Sequence, residues 1–164
     1  MARDVRILIT GGTLDKIHDP FSESLAFSRD GATQIPEILH YSRCHFPAVQ
    51  QLMQIDSLDM TEDHREQIVS AIKTAKEKSI VITHGTSTMG ETARFIAASE
   101  IAKTIVLTGA MRPFSLGFSD GPFNMGGAIV ASQTLKKGVY GVMNGRIIEA
   151  QDLNKNTELG RFDA

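Results

Sequence analysis

The sequence predicts a three-layer α/β fold, flavodoxin- or Rossmann-like, with helices on both faces of a mostly parallel sheet. Three observations carry this. Short runs such as 5–9, Ser79–Thr83 and Thr104–Thr108 are apolar almost without interruption, as strands buried on both faces are. Longer stretches with apolar residues at helical spacing separate them, and strand–helix alternation packs as parallel βαβ units. The 164 residues, 41% of them hydrophobic, fit one domain over 1–164 with a single buried core.

The elements follow in order. The first strand, 5–9, stops at Thr10-Gly11-Gly12-Thr13. Segment 14–33 reads as a long loop, and such a loop in a compact domain is usually functional or disordered. His40 and Cys44 stand at i, i+4 on an expected helix, with His45 next. That spacing can hold zinc, but a core helix is the simpler reading, and no metal site is assigned. A second strand is expected over 49–55. Thr61 caps a helix running to about Lys78, with Glu62 and Asp63 in the first turn, where the dipole favours acids. Strand Ser79–Thr83, a helix over 88–99 and strand Thr104–Thr108 come next. A polar loop, 109–121, leads into a helix from about Pro122 to Lys136, proline being tolerated in a first turn. Two short strands, 139–143 and 147–149, flank an Asn144-Gly145 turn.

Composition excludes several classes. Lys+Arg number 17 and Asp+Glu 19, a formal net charge of −2, without the basic excess of a general nucleic-acid-coating protein. Two Tyr and no Trp argue against an aromatic stacking platform for bases. The single cysteine, Cys44, cannot close an internal disulfide. No run of about 18 apolar residues is present to cross a membrane. The first ten residues are too charged for a secretory leader, so a cytoplasmic location is expected.

In open parallel sheets ligands bind beyond the carboxyl ends of the strands. The informative residues are therefore the polar strand ends: 10–15, 83–89 and 108–113. Gly11 and Gly12 let the backbone turn sharply and present N–H groups to an oxyanion. Alone they read as a tight turn, and neither GxGxxG nor a P-loop is present. Thr83-His84-Gly85-Thr86-Ser87-Thr88 offers several hydroxyls as nucleophile, ligand donor or helix cap. Asp120 reads as a cap for the helix that follows it, and Arg112 as an anchor for its own loop.

Four segments in this order, Thr10-Gly11-Gly12-Thr13, His84-Gly85-Thr86-Ser87-Thr88-Met89, Gly109-Ala110-Met111-Arg112-Pro113 and Ser119-Asp120-Gly121-Pro122-Phe123-Asn124, together resemble the bacterial-type L-asparaginase family. The stretch Asp56-Ser57-Leu58-Asp59-Met60 is similar to the family's substrate loop. The likeness runs from about Val5 to Phe162 and fits a short form without the second, C-terminal domain. It implies a cofactor-free amidohydrolase that splits a carboxamide into carboxylate and ammonia. Thr13 would be the nucleophile and Thr86 the second threonine, part of a hydroxyl–acid–lysine relay. N–H groups near Gly12 and Thr86 would hold the oxyanion, with Gly85 in the same wall. The Ala110 carbonyl would hold the amide nitrogen, and Ser57 the substrate's α-carboxylate.

The sequence departs from the family pattern at identifiable places. Ser87 stands where the family has an aspartate for the substrate's ammonium, and Leu58 where it has a glutamine. Ungapped counting from Asp120 puts the relay lysine near Leu135, beside Lys136. The lid tyrosine has no match in 14–33, where His18 is a candidate base and Lys16 a candidate cation. These departures predict weak turnover of asparagine, or a substrate whose amine is absent or bound differently. Two other readings stand beside the enzyme: a degenerate module that binds a small ligand without turnover, and a subunit of an amide-transfer assembly. The resemblance also implies a homodimer or larger homo-oligomer, with no nucleic acid or membrane as partner.

Overall fold

The structure, a computed structural model, describes residues 3–163. Strand β1 (Val5–Gly11) is followed by a single 3-10 turn and a hairpin, β2 (Ile17–Asp19) and β3 (Ser24–Ala26). Then come α1 (Ile35–Tyr41), β4 (Ala48–Ile55), α2 (Glu62–Thr74), β5 (Ser79–Thr83), α3 (Met89–Ala97), β6 (Thr104–Thr108) and α4 (Gly121–Thr134). The chain closes with β7 (Gly138–Met143), β8 (Arg146–Glu149), β9 (Lys155–Asn156) and β10 (Arg161–Phe162). Six strands make the central sheet, in the order β4-β1-β5-β6-β7-β8. All neighbours are parallel except β7 and β8. The expected three-layer α/β architecture is the one observed.

Side chains alternate between the two layers because successive residues of a strand face opposite ways. Ile80 and Ile82 pack with Ile68 and Ile72 of α2 and with Ala93 and Ile96 of α3. Val81 packs on the other face, with Ile35 and Ile38 of α1 and Met125 and Ala128 of α4. The Asn144-Gly145 turn joins β7 to β8 with both residues at positive φ, 52° and 79°, as a two-residue hairpin needs.

Three expectations are corrected. Helix α2 stops at Thr74 rather than near Lys78, and Ala75 is already extended at ψ 139°. The buried Lys103 ammonium closes that end, donating to the carbonyls of Ile72 and Ala75 at 2.5 Å each. Long-range capping of this kind leaves no local signature. Cys44 lies beyond the end of α1, its N–H bonded to Leu39 O, so it shares no helical face with His40. Segment 14–33 is no open loop. It holds the β2–β3 hairpin, and its two ends are tied at buried Asp15, whose Oδ1 accepts Gln34 N–H at 2.7 Å and Thr33 Oγ1–H at 2.8 Å. Burial raises the Asp15 pKa despite these hydrogen bonds.

Candidate active site

The strand order reverses direction between β1 and β5, which places a topological switch point there. A crevice opens beyond the carboxyl ends of strands at such a point. Thr13 and Thr86 lie in the two loops that leave these strands. Ile9 of β1 pairs with Thr83 of β5, and beyond that pair the loops touch through their glycines. Gly12 sits at φ +88°, and a Cβ on it would lie 2.5 Å from Gly85 N. A Cβ on Gly85 would lie 2.5 Å from the Ser57 Oγ. Glycine is thus required at both positions by space, and at Gly12 also by conformation. The two threonines each follow one of these touching glycines, with Ser57 against the same wall.

Thr13 is half-buried, and its hydroxyl makes no hydrogen bond among the described residues. Gly12 N–H donates to Ile55 O at 3.1 Å, which removes Gly12 itself from the expected oxyanion donors. The N–H groups of Thr13 and Thr86 have no acceptor among the described residues. Thr86 is 5% exposed, and its Oγ1 accepts from Lys155 Nζ at 3.2 Å.

Lys155 was not found by sequence reasoning. Counting without gaps pointed to Leu135 and Lys136, whose carbonyls instead accept from Thr104 Oγ1 at the start of β6, on the opposite rim. Lys155 comes from β9, which pairs with β10 through Phe162. Leu153 and Phe162 are both buried in the core and anchor this short hairpin. A Cβ on Gly90 of α3 would lie 1.8 Å from Leu153 O, so the helix admits the segment only because that residue is glycine.

The remaining expected residues divide. Ser57 is buried, and its carbonyl accepts from Thr88 Oγ1 at 2.7 Å. Thr88 thus braces the Ser57 loop rather than capping α3. Ala110 is buried at the end of β6, in the third strand-end loop. Asp120 does not cap α4 with its side chain. Its carboxylate accepts the N–H groups of Met111 and Arg112 at 3.0 Å and the Asn124 amide at 3.0 Å. The Asn124 amide also donates to Gly109 O at 3.0 Å. These contacts fix the loop that carries Ala110. Arg112 anchors that loop as expected, donating to Gly117 O at 2.8 Å and Leu116 O at 3.1 Å.

Ser87 and Leu58 are exposed and bring no charge to the crevice. Lys16 is not a free cation. Its Nζ bonds Asp56 Oδ2 at 2.5 Å, and this bridge holds the Asp56 carboxyl below its usual range, together with the Leu58 N–H. His18 is exposed on β2, and its ring makes no hydrogen bond among the described residues.

The His84 imidazole is fully buried beneath this wall. Its Nδ1 lies 2.7 Å from Gly85 O. A carbonyl only accepts, so Nδ1 carries the proton. Nε2 then accepts from Thr92 Oγ1 at 2.8 Å, and Thr92 Oγ1 accepts from Arg65 Nε at 3.1 Å. Burial pulls the His84 pKa down to about 4, against the raising effect of the Gly85 hydrogen bond. The sequence marks His84 only as part of a motif and gives no sign of this role.

The chain is 37% identical over 121 residues to L-asparaginase 2 of Escherichia coli, an alignment covering 69% of this chain and 35% of that protein. It is 30% identical over 165 residues to the probable periplasmic L-asparaginase of Haemophilus influenzae, covering 94% of this chain and 46% of the relative. Its fold matches the thermostable L-asparaginase from Thermococcus kodakarensis with a TM-score of 0.79 at 23% identity, over 98% of this chain and 51% of that one. The chain therefore spans between about a third and a half of the length of these proteins. Residues 4–164 match the family model for the N-terminal part of asparaginase, and the chain belongs to the asparaginase family.

Proposed function

We propose that this chain hydrolyses a small carboxamide, L-asparagine or a related amide, to a carboxylate and ammonia. The observation that carries the reading is the meeting of the β1 and β5 loops at Gly12 and Gly85, with a threonine hydroxyl beside each glycine and Lys155 on one of them. In this reading the Thr13 oxygen attacks the amide carbon and gives up its proton, which the Thr86–Lys155 pair carries to the leaving nitrogen. The carbonyl electrons move onto oxygen, held by the N–H groups of Thr13 and Thr86. The C–N bond then breaks, the leaving nitrogen takes a proton, and ammonia departs from an ester on Thr13. Water attacks that ester and frees the carboxylate. Splitting one hard step into two is the advantage of a covalent intermediate. Thr86 and Lys155 form the hydroxyl–amine pair able to pass protons. Ser57 would hold the substrate's carboxylate and Ala110 O its amide nitrogen. No step calls for a cofactor or a metal.

The crevice lacks a free carboxylate among the residues placed there, since Asp56 is bound to Lys16 and Asp120 to loop amides. This favours amides without an α-ammonium over asparagine itself. The test is ammonia release by the purified chain from asparagine, glutamine, amides lacking the amine and peptide amides. Release that is abolished in Thr13→Ala is expected; no release from any of them transfers the chain to ligand binding without turnover.

Assembly and compartment belong to the same proposal. Phe123, Val130 and Ile147 are exposed and line an apolar groove of about 710 Å³ between α4 and β8, which supports a homo-oligomer; light scattering decides it. No helix among the described residues is long and apolar enough to cross a membrane. A cytoplasmic site fits a chain whose single cysteine closes no disulfide within it, and cell fractionation tests it.

A further inference from the structure

We propose that His84 is a positioning residue for turnover: it fixes the Gly85–Thr86 peptide so that the Thr86 N–H faces the reacting carbonyl oxygen. The inference rests on the amidohydrolase reading and adds a residue to it. A trans peptide unit is planar, and its C=O and N–H point in opposite directions. Holding one therefore aims the other. The Gly85 carbonyl is held at 2.7 Å by the His84 Nδ1–H, on the side of the wall that faces the core. The Thr86 N–H leaves the same peptide in the opposite sense. It belongs to a residue only 5% exposed and finds no acceptor among the described residues. An N–H of a buried residue without a protein acceptor is left to take one from outside the protein, and an oxyanion above Thr13 supplies it.

The imidazole can hold this position because its own orientation is locked. Nε2 is filled by the Thr92 hydroxyl at 2.8 Å, which is itself held by Arg65 Nε at 3.1 Å. Arg65 is steadied in turn by Glu91 at 3.2 Å. Met60 Sδ closes the remaining side at 3.0 Å from Nε2. This chain runs from α2 through α3 to the loop after β5 and sets one tautomer. Burial reinforces it by keeping the ring neutral over the ordinary pH range. A charged ring would make Nε2 a donor and force the Thr92 hydroxyl to turn its proton elsewhere. The same burial means that the ring is not a base for Thr13.

Two amide substitutions separate positioning from packing. Asparagine sets its side-chain NH₂ near the place of Nδ1, whereas glutamine sets its own near Nε2. With an amide that the wild type hydrolyses, His84→Asn is expected to keep kcat within about tenfold. His84→Gln is expected to lose about a hundredfold in kcat with KM changed less than threefold, in line with loss of one oxyanion donor. Thermal melts confirm that both are folded. A folded His84→Gln with wild-type kcat, or equal kcat losses in both variants, overturns the proposal. Nitrogen-15 spectra of the wild-type imidazole give an answer that does not depend on turnover. The Nδ1–H tautomer should persist from neutral pH to below pH 5; an Nε2–H tautomer, or titration near the ordinary histidine value, overturns it. If no amide is hydrolysed while the tautomer is the expected one, the amidohydrolase reading fails, and with it the catalytic part of this one, while the hold on Gly85 stands.

Discussion

At the scale of single residues the site depends on groups whose charge and direction are set by burial. His84 has a pKa of about 4 in the folded protein, against 6.5 for the free side chain. The unfolded chain therefore binds the proton more readily. The stability that His84 contributes is fully present above about pH 6.5 and is lost as pH falls towards 4. The loss amounts to roughly 3 kcal/mol by linkage, and denaturant titrations at pH 7 and pH 4.5 should show most of it. His84→Asn should remove that part of the pH dependence. Asp15, whose pKa is raised by burial, acts with the opposite sign, adding stability below its unfolded value and losing it as pH rises. Lys155 marks what a single sequence hides. Its place on Thr86 comes from tertiary packing across 69 residues, and neither periodicity nor spacing announces such a contact. Segments 10–15, 83–89 and 108–113, which hold Thr13, Thr86 and Ala110, were legible as strand ends, whereas Ser57 was picked out only by the family resemblance.

At the scale of elements, small hairpins and touching loops do the positioning. The β9–β10 hairpin carries Lys155 and is anchored by Leu153, which is fully buried. Leu153→Ala should cost about 2–5 kcal/mol of stability, the range for emptying a well-packed leucine site, as read by chemical denaturation. It should also lower ammonia release at temperatures where the protein remains folded. Gly12→Ala should be worse than a surface change, because Gly85 backbone occupies the space and φ is +88°; a destabilisation of about 1–3 kcal/mol is the expected order for such strain. The strands of the central sheet, the bodies of α2, α3 and α4 and the Asn144-Gly145 turn were legible because propensity, apolar spacing and turn chemistry all agree there. The β2–β3 hairpin was not. Its strands have three residues each, too short for alternation to register, and the Asp15 clamp that closes the segment is a long-range contact.

For the whole molecule, the sheet order explains why sequence-distant segments share one crevice. Placing β1 between β4 and β5 brings 12–13, 57 and 85–86 together beyond one end of the sheet. Lysines gather at the other end, as at Lys103 beneath α2, where cations offset helix C-termini. The family could be read from the order of four motifs, three at strand ends and one at the start of α4. Substrate choice could not, since Ser87 and Leu58 bring no charge to the crevice that would name a partner group. The central claim is that Thr13 and Thr86 serve one carbonyl. A double-substitution cycle on ammonia release tests it most directly, using Thr13→Ala, Thr86→Ala and the pair together. Residues that act as a unit are strongly non-additive, so each single change should lose nearly as much kcat as the double. Losses that multiply, or full activity in either single variant with the fold intact, would contradict the account.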